Sequence, residues 1–206
     1  MLTPYLPYPL LSGGQIRTYN LLKQLSKKHE VTLFSLIKDR SEEKYVTQLA
    51  EFCSEVRVFK RSTHPFTFKN IFRTAISKYP FLVIRNHVPV MTSVIEEYLT
   101  TKQFDLIHAE TFYMMPHLPK TKVPVLLVEQ TIEYLGYESF TNKVWPIIRP
   151  LLNFDIRKIR HWEHHYWNDC QKLIVMSTDD KQLVAPLVKD PNKIEVVANG
   201  VDTKWF

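Results

Sequence analysis

Cysteine is scarce in this sequence, which has only 2 among its 206 residues. Cys53 and Cys170 lie far apart, and neither belongs to a CxxC motif. A disulfide framework and a zinc site are therefore not expected, and a reducing cytosol is the expected compartment.

Long apolar runs are also missing, because none approaches the roughly 20 residues that a membrane-spanning helix needs. The first residues do not show the charged region and apolar stretch of a signal peptide. The sequence therefore predicts a cytoplasmic protein that is either soluble or bound peripherally to the inner face of the membrane.

Acidic residues are in the minority, with 21 Asp and Glu against 27 Lys and Arg and a formal net charge of +6. A basic protein favours anionic partners such as nucleotides or phospholipid headgroups. No RNA-binding aromatic motif or DNA-recognition helix is apparent, so nucleic acid is not an expected partner.

Glycine is the third scarce residue, and two of the 4 glycines are adjacent, at Gly13 and Gly14. Apolar residues from Ile16 to Leu25 then recur at helical spacing. Adjacent glycines can adopt positive φ, and a helix that begins beside them directs unpaired N–H groups outward. The pattern predicts a phosphate-binding loop with Arg17 one turn into the helix; the alternative is a tight turn before a buried helix.

Helical and strand patterns alternate along the rest of the chain. Near-continuous apolar runs are typical of buried parallel strands. We therefore predict a Rossmann-like α/β fold with an open, mostly parallel sheet and helices on both faces. Because only Met1 and Leu2 precede a Pro-rich segment, the first strand is expected to be truncated. The predicted strands are 30–37, 56–59, 104–110, 123–128, 172–176 and 194–198, and the predicted helices include 41–53, 90–100 and 151–170.

Polar side chains follow three of these strands where they end. His108 and Glu110 end one strand, Glu129 follows the next with Glu133 shortly after it, and Ser177 follows a third. Ligands gather at the carboxyl ends of strands in open parallel sheets. His108 and Glu110 are therefore candidate catalytic residues and the others candidate ligand contacts, although a lone histidine at a strand end can equally be structural.

Acidic residues are absent from Val56 to Ile95, where basic and aromatic residues are interleaved. Such a segment can lie on an anionic membrane with its cations at the headgroups. Lys69, Arg73 and Lys78 are the candidate membrane contacts. The alternative is an ordinary helical hairpin whose basic side is solvated.

A cluster of His161, Glu163, His164 and His165 raises the question of a metal site. His161 and His165 share a helical face, but His164 lies on another and no HExxH motif is present. No metal site is predicted.

Several segments form a combined pattern that is more specific than any one of them. In order they are PYLPYP with SGGQIRTYNLLKQLSKKHEVTLFS, FDLIHAE, VEQTIEYL, WEHHYWNDCQKLIVMSTDD and IEVVANGVDTKWF, and they cover nearly the whole chain. Their order and spacing resemble the amino-terminal half of the retaining, GT-B-fold glycosyltransferases of glycosyltransferase family 4.

In that family two Rossmann-like domains face each other across a cleft, the first mostly holding the acceptor and the second mostly the nucleotide sugar. The resemblance implies that Gly13 and Gly14 form a loop facing this cleft, and that the strand end from His108 to Glu110 lines the reaction centre. Many relatives have a histidine where Glu110 aligns, so the sequence departs from the family pattern there.

The end of the chain has a counterpart in the same family. The resemblance implies that Asn199 and Gly200, with Val201 and Asp202, mark the crossing to the second domain. That domain would begin near Phe206, so residues 1–206 are expected to form the amino-terminal domain and to be inactive alone.

The resemblance implies a hexosyl-type transfer from a nucleotide-sugar donor to an acceptor hydroxyl, with retention at the anomeric carbon. No metal or other cofactor is expected, and the expected acceptor is a glycan or a lipid-linked envelope precursor. Two other readings stay open: a non-catalytic binding module or gene fragment of the same fold, and a nucleotide-sugar epimerase.

Overall fold

A computed structural model describes residues 1–141 and 143–200. In this part of the chain, seven strands form a single sheet in which every neighbouring pair is parallel. The predicted open α/β sheet is confirmed, and it is wholly parallel. The strands are β1 Leu2–Thr3, β2 Thr32–Ile37, β3 Glu55–Lys60, β4 Ile107–Glu110, β5 Val125–Glu129, β6 Lys172–Val175 and β7 Ile194–Val196.

The strands lie in the order β3-β2-β1-β4-β5-β6-β7. β2 and β3 lie on one side of β1, and β4, β5, β6 and β7 follow on the other side. β1 has two residues, and its Leu2 pairs with Phe34 of β2 and with Ala109 of β4. The order therefore reverses between β1 and β4, at the kind of switch point where open α/β sheets bind ligands.

Helices connect the strands, as parallel pairing requires. Short 3-10 helices occupy Arg40–Tyr45, Phe112–His117, Pro146–Ile148, Ala185–Leu187 and Pro191–Lys193. The α-helices are α1 Gly13–Leu25, α2 Val46–Leu49, α3 Phe68–Ile76, α4 Phe81–Asn86, α5 Pro89–Thr101, α6 Glu133–Thr141, α7 Arg149–Asp169 and α8 Thr178–Val184.

The core lies on both faces of the sheet, as alternate residues of β2 illustrate. Leu33 and Ile37 belong to a cluster with Leu22 of α1. Phe34 and Leu36 belong to a second cluster, which also contains buried residues of α5 and α7. Since successive strand residues point to opposite faces, the near-continuous apolar run of β2 reflects burial on both sides.

The prediction of a helix over residues 41–53 is wrong in part. Residues Arg40–Tyr45 form a 3-10 helix, and only Val46–Leu49 is α-helical. Asp39 and Glu42 form a capping box that starts the first turn. None of the 3-10 residues is fully buried and only Tyr45 packs against the core, so little apolar surface holds a longer α-helix against the sheet.

The 21-residue helix α7 changes character along its length. Its second half is buried in the core through Ile159, Trp162 and Trp167, whereas Leu151 and Phe154 in its first half are exposed. No helix in the described residues combines the length and the apolar character that a bilayer crossing demands.

Candidate active site

The amino-terminal end of α1 lies beside the switch point of the sheet. Ser12 caps the helix, and its side-chain oxygen accepts a hydrogen bond from the backbone N–H of Gln15 at 3.3 Å. Gly13 and Gly14 are the first two residues of the helix, and no glycine in the described residues has a positive φ. The expected positive-φ loop is therefore wrong, because Ser12 starts the helix before the glycines.

Gly14 is required by close packing instead. A Cβ atom built on Gly14 would overlap the Tyr5 hydroxyl and lie 3.0 Å from Oε1 of Gln130, whereas one on Gly13 would meet nothing within 4 Å. Tyr5 follows β1 and Gln130 follows β5. The missing side chain at Gly14 therefore lets α1 approach the carboxyl ends of the strands.

A buried carboxylate occupies the centre of this region. Oε1 of Glu110 lies 3.1 Å from Nη1 of Arg17 and 2.9 Å from Nε2 of His108. Oε2 of Glu110 accepts a hydrogen bond from Nε2 of Gln130 at 2.6 Å, and that nitrogen lies 3.1 Å from the Tyr5 hydroxyl oxygen. We call these five residues the Glu110 cluster.

The fold explains why these side chains meet. His108 and Glu110 are two residues apart on β4, so they point to the same face of the sheet. Arg17 reaches them from one turn inside α1, and Gln130 comes from the end of the neighbouring strand β5. The switch point thus brings three of the sequence-predicted site residues, Arg17, His108 and Glu110, into direct contact.

Glu110 is held in its charged form. Its side chain is fully buried, and burial alone would raise its pKa. The His108 hydrogen bond and the positive charge of Arg17 outweigh burial, so the pKa of Glu110 lies below its ordinary value. The Arg17 and His108 side chains are 12% and 15% exposed. A ligand can therefore reach these two side chains, although it cannot reach Glu110.

The residue after Glu110 has an unusual backbone conformation. Thr111 has φ 73° and ψ 151°, and it is the sole non-glycine residue with positive φ in the described part of the chain. Such a conformation is costly for a β-branched residue and is found where function or packing enforces it. Here the Thr111 N–H donates to the Val128 carbonyl of β5 at 2.7 Å, directly after the end of β4.

A second group of carboxyl side chains lies where β5, α6 and α7 meet. Glu163 of α7 accepts the backbone N–H groups of Glu133 at 2.7 Å and Tyr134 at 3.0 Å, so it satisfies the amino-terminal end of α6. Glu129 accepts the indole N–H of Trp167 at 3.0 Å. We call Glu129, Glu133 and Glu163 the acidic group.

Burial favours the neutral form of all three acids. It raises the pKa of Glu133 to about 7 and that of Glu163 to about 8. Burial, followed by the charge of Glu163, raises the pKa of Glu129 well above its ordinary value. Glu129 is 2% exposed, so this predicted site residue lies within the protein rather than at a ligand-accessible surface.

The remaining predicted site residues lie apart from the Glu110 cluster. Ser177 caps α8 by accepting the N–H of Asp180 at 3.0 Å. Asn199 and Gly200 are exposed beyond β7, and Val201 and Asp202 lie outside the described residues.

The three predicted membrane contacts are exposed on and beside α3. Lys69 and Arg73 lie on that helix, and Lys78 follows it. The Lys78 ammonium group lies 5.3 Å from the ring centroid of Trp162. Arg73 also lines a cavity of about 380 Å³ between α3 and α4, which includes no residue of the Glu110 cluster.

Sequence reasoning missed three residues of these two sites. Gln130 had a usable signal, because it is polar and directly follows a buried strand. Tyr5 lies in the Pro-rich segment, where no periodicity marks it. In the sequence Glu163 stands out only as a possible metal ligand, whereas in the structure it caps α6.

No group of three or more potential ligands that could hold a metal is found in residues 1–141 and 143–200. The rings of His164 and His165 instead pack on aromatic neighbours. His164 lies 5.0 Å from Trp167, and His165 lies 5.1 Å from Trp162, between ring centroids.

A family model described as Glycosyltransferase Family 4 matches residues 11–205, which include the whole Glu110 cluster except Tyr5. A comparison with curated proteins gave no match.

Proposed function

Because this chain belongs to glycosyltransferase family 4, we propose that it is the acceptor-side domain of an enzyme that transfers a sugar, of hexosyl type, from a nucleotide-sugar donor to an acceptor hydroxyl. The observation that carries the proposal is the Glu110 cluster beside the amino-terminal end of α1, at the switch point of the sheet. Charged and hydrogen-bonding groups converge there from α1, β4 and the end of β5.

In this proposal Arg17 and the amino-terminal end of α1 stabilise the negative charge that develops during the reaction. As the bond to the sugar breaks, negative charge builds up on the leaving diphosphate, and fixed N–H groups and cations lower the barrier by facing it. Arg17 uses Nη1 to bind Glu110, which leaves the rest of its guanidinium able to donate. The N–H groups at the start of α1, near Gly13 and Gly14, add to the same field.

His108 is the group best placed to contact an acceptor or sugar hydroxyl. Its Nε2 is held by Glu110, and its partly exposed ring offers Nδ1 as a second polar atom. Glu110 itself is fully buried. We therefore assign it as a positioning residue that fixes the His108 ring and the Arg17 guanidinium.

The other predicted contacts have subsidiary places in this proposal. Glu133, Ser177, Asn199 and Gly200 would border the cleft, and Glu129 would support its wall from inside. The nucleotide would be held mostly by a second Rossmann-like domain, so residues 1–206 alone would not turn over substrate. The reaction would retain the anomeric configuration and need no metal, and the acceptor would be a glycan or a lipid-linked envelope precursor.

The proposal is tested with the protein encoded by the complete reading frame around these residues. Radiolabelled UDP-sugars and GDP-sugars are incubated with glycan and lipid acceptors, and transfer is measured alongside the 206-residue chain alone. We expect transfer by the complete protein and none by the isolated chain. A turnover rate for the isolated chain equal to that of the complete protein would refute the domain assignment.

Variants assign the roles within the site. His108→Ala should lower kcat by roughly 100-fold or more, which is the usual contribution of a positioned acid–base or hydrogen-bonding group. His29→Ala, at an exposed position after α1, is the matched control and should keep the wild-type rate. For Glu110→Gln, kcat should fall more than KM changes, because the orientation of His108 is lost while the ligand contacts remain.

Two outcomes would favour the other readings of the sequence. Binding of a nucleotide or lipid without any transfer, from a complete reading frame that lacks a second domain, would indicate a binding module. Interconversion of the free nucleotide sugar without an acceptor would indicate an epimerase.

A further inference from the structure

More than half of the large apolar residues that are exposed in the described part of the chain fall in two segments, 66–76 and 140–154. In the first, Phe68 and Ile76 are 85% and 71% exposed. In the second, Trp145 and Ile147 are 78% and 83% exposed. Concentrations of this kind mark interaction surfaces rather than ordinary solvent-facing residues.

The first segment is a short amphipathic helix. Phe68, Phe72 and Ile76 recur every four residues of α3 and lie along one exposed side, and the rings of Phe68 and Phe72 stack with their centroids 6.4 Å apart. Lys69 and Arg73 each follow one of these rings by one residue and are exposed as well. Cations therefore flank the apolar side of α3.

The second segment is joined to the first through Lys158 of α7. The Lys158 ammonium group donates to the carbonyl oxygens of Thr74 at 2.7 Å and Ser77 at 2.8 Å, at the carboxyl end of α3. The same group lies 4.6 Å from the ring centroid of the exposed Phe154. The end of α3 is thus fixed against the first half of α7, and the two apolar segments meet there.

Basic residues outnumber acidic ones around this surface, and Glu138, two residues before the second segment, is ion-paired with Arg160 of α7 at 2.6 Å. No acidic residue occurs from Val56 to Ile95, and Asp155 is the sole acid between Phe140 and Arg160 in the sequence. The Asp155 carboxylate accepts the backbone N–H of Phe81 at 2.9 Å and is only partly exposed. The surface formed by segments 66–76 and 140–154, which we call the α3–α7 surface, is apolar with a basic rim.

We propose that the α3–α7 surface docks on the anionic face of a phospholipid bilayer. Exposed aromatic and aliphatic side chains would enter the headgroup region, and Lys69 and Arg73 would face the lipid phosphates. A second copy of the same surface would bring like charges together, and a nucleic acid would have no use for the apolar side chains. The inference stands on exposure and charge, so it does not depend on sugar transfer at the Glu110 cluster.

The test is flotation of the 206-residue chain with phosphatidylcholine vesicles that contain or lack phosphatidylglycerol. We expect binding to the anionic vesicles, with a partition coefficient that falls as salt is added. Lys69→Glu with Arg73→Glu should reduce it by roughly 25-fold or more, at about fivefold for each lost cation. Lys23→Glu with Lys28→Glu, an equal charge change at exposed positions around the end of α1, is the matched control and should bind almost as wild type.

Apolar insertion is tested separately. Phe68→Ser with Phe72→Ser should lower binding by about tenfold or more, whereas Val90→Ser with Leu106→Ser, at exposed positions outside the surface, should not. Circular dichroism and thermal unfolding verify that each variant is folded. Bromine-labelled lipids should quench the fluorescence of wild type more than that of Trp145→Phe.

Three results would overturn the proposal. They are equal binding to vesicles with and without phosphatidylglycerol, an equal loss of binding in the two charge-reversal variants, and a dimer in sedimentation equilibrium that Phe68→Ser dissociates. A fourth such result would be retention of the chain by an RNA or DNA column with no vesicle binding.

Discussion

Arg17 and Glu110 are separated by 93 residues in the sequence, yet the Arg17 Nη1 atom lies 3.1 Å from Oε1 and 3.3 Å from Oε2 of Glu110. The Glu110 side chain has no exposed surface and the Arg17 side chain has little. A buried carboxylate is tolerated only with such partners. The contact therefore ties α1 to the end of β4 and fixes the geometry of the candidate active site.

Loss of both members of this pair should destabilise the protein by less than the sum of the two single losses. Arg17→Leu leaves a buried carboxylate with incomplete compensation, and we expect it to reduce the free energy of unfolding by about 3 kcal/mol. Arg17→Leu with Glu110→Leu should cost clearly less than the sum of the single changes. Urea unfolding of the three variants at neutral pH measures the coupling.

The exposed pair Lys172 and Glu195 provides the control for this cycle, because both side chains are about half exposed. Lys172→Leu should cost only a fraction of the Arg17 effect. The pKa of Glu110 is lowered in the folded chain, so its stabilising contribution is present above the ordinary value of 4.5 and is lost as the pH falls through the lower folded value. If Arg17→Leu with Glu110→Leu reduced the free energy of unfolding by the full sum of the two single effects, the ion-pair interpretation would be contradicted.

Adding one methyl group at Gly14 should destabilise α1 where the same change at Gly13 does not. Gly14→Ala forces a Cβ atom against the Tyr5 hydroxyl and should cost about 1–3 kcal/mol. Gly13→Ala meets open space and should be neutral or stabilising by up to about 1 kcal/mol, because alanine is the better helix former. Thermal unfolding compares the two variants.

Tyr5→Phe should restore part of the stability of Gly14→Ala, since it removes the overlapping oxygen. In the wild-type background the same change should cost about 1 kcal/mol through the lost hydrogen bond with Gln130. If Gly13→Ala and Gly14→Ala unfolded at the same temperature, the packing role of Gly14 would be refuted.

Much of the sheet could be predicted because its strands are buried on both faces. The continuous apolar runs of β2 and β5 have no other common explanation in a βα alternation. The strand-end rule also found His108 and Glu110, because it needs only the end of β4 and the parallel direction of its neighbours. Where no side chain is fully buried, as over residues 40–45, helical spacing alone predicts the wrong type of helix.

The contacts within the site could not be read from the sequence in the same way. Tyr5 and Gln130 are 125 residues apart and meet only because β1 and β5 flank β4. The role of Glu163 depends on two backbone N–H groups of α6, about 30 residues earlier. Side-chain periodicity carries information about which face is buried, but none about which backbone group a buried acid will meet.

The acidic group makes stability depend on pH through Glu133. Its pKa is raised from 4.5 to about 7 in the folded chain, mainly by burial, so the folded state binds this proton more tightly than the unfolded state. The resulting stabilisation is present at pH 4.5 and is lost as the pH rises through about 7. Glu133→Gln, which is neutral at every pH, should have the stability of wild type at pH 4.5. At pH 8 it should be more stable than wild type by up to about 3 kcal/mol.

Urea unfolding at pH 4.5 and at pH 8 measures the Glu133 effect as a difference between variant and wild type. This difference cancels the titrating groups that do not interact with Glu133, and it includes the repulsion of Glu133 with Glu129 and Glu163. Glu96→Gln removes a carboxylate from an exposed position of α5 and should change the stability equally at both pH values. A Glu133→Gln difference that is independent of pH would show that Glu133 does not titrate as the buried geometry requires.

Thr111 should report the backbone strain at the edge of the Glu110 cluster. Its φ of 73° with ψ of 151° suits glycine far better than a residue with a Cβ atom. Thr111→Gly should therefore be more stable than Thr111→Ala by about 1–2 kcal/mol, although glycine is usually the less stable of the two. The same pair of substitutions at Val188, a buried position with φ −108° and ψ 149°, should show the usual order with alanine ahead. Thermal and urea unfolding compare the stabilities of the four variants. If the alanine variant were more stable than the glycine variant at both positions, no strain would be stored in the backbone beside Glu110.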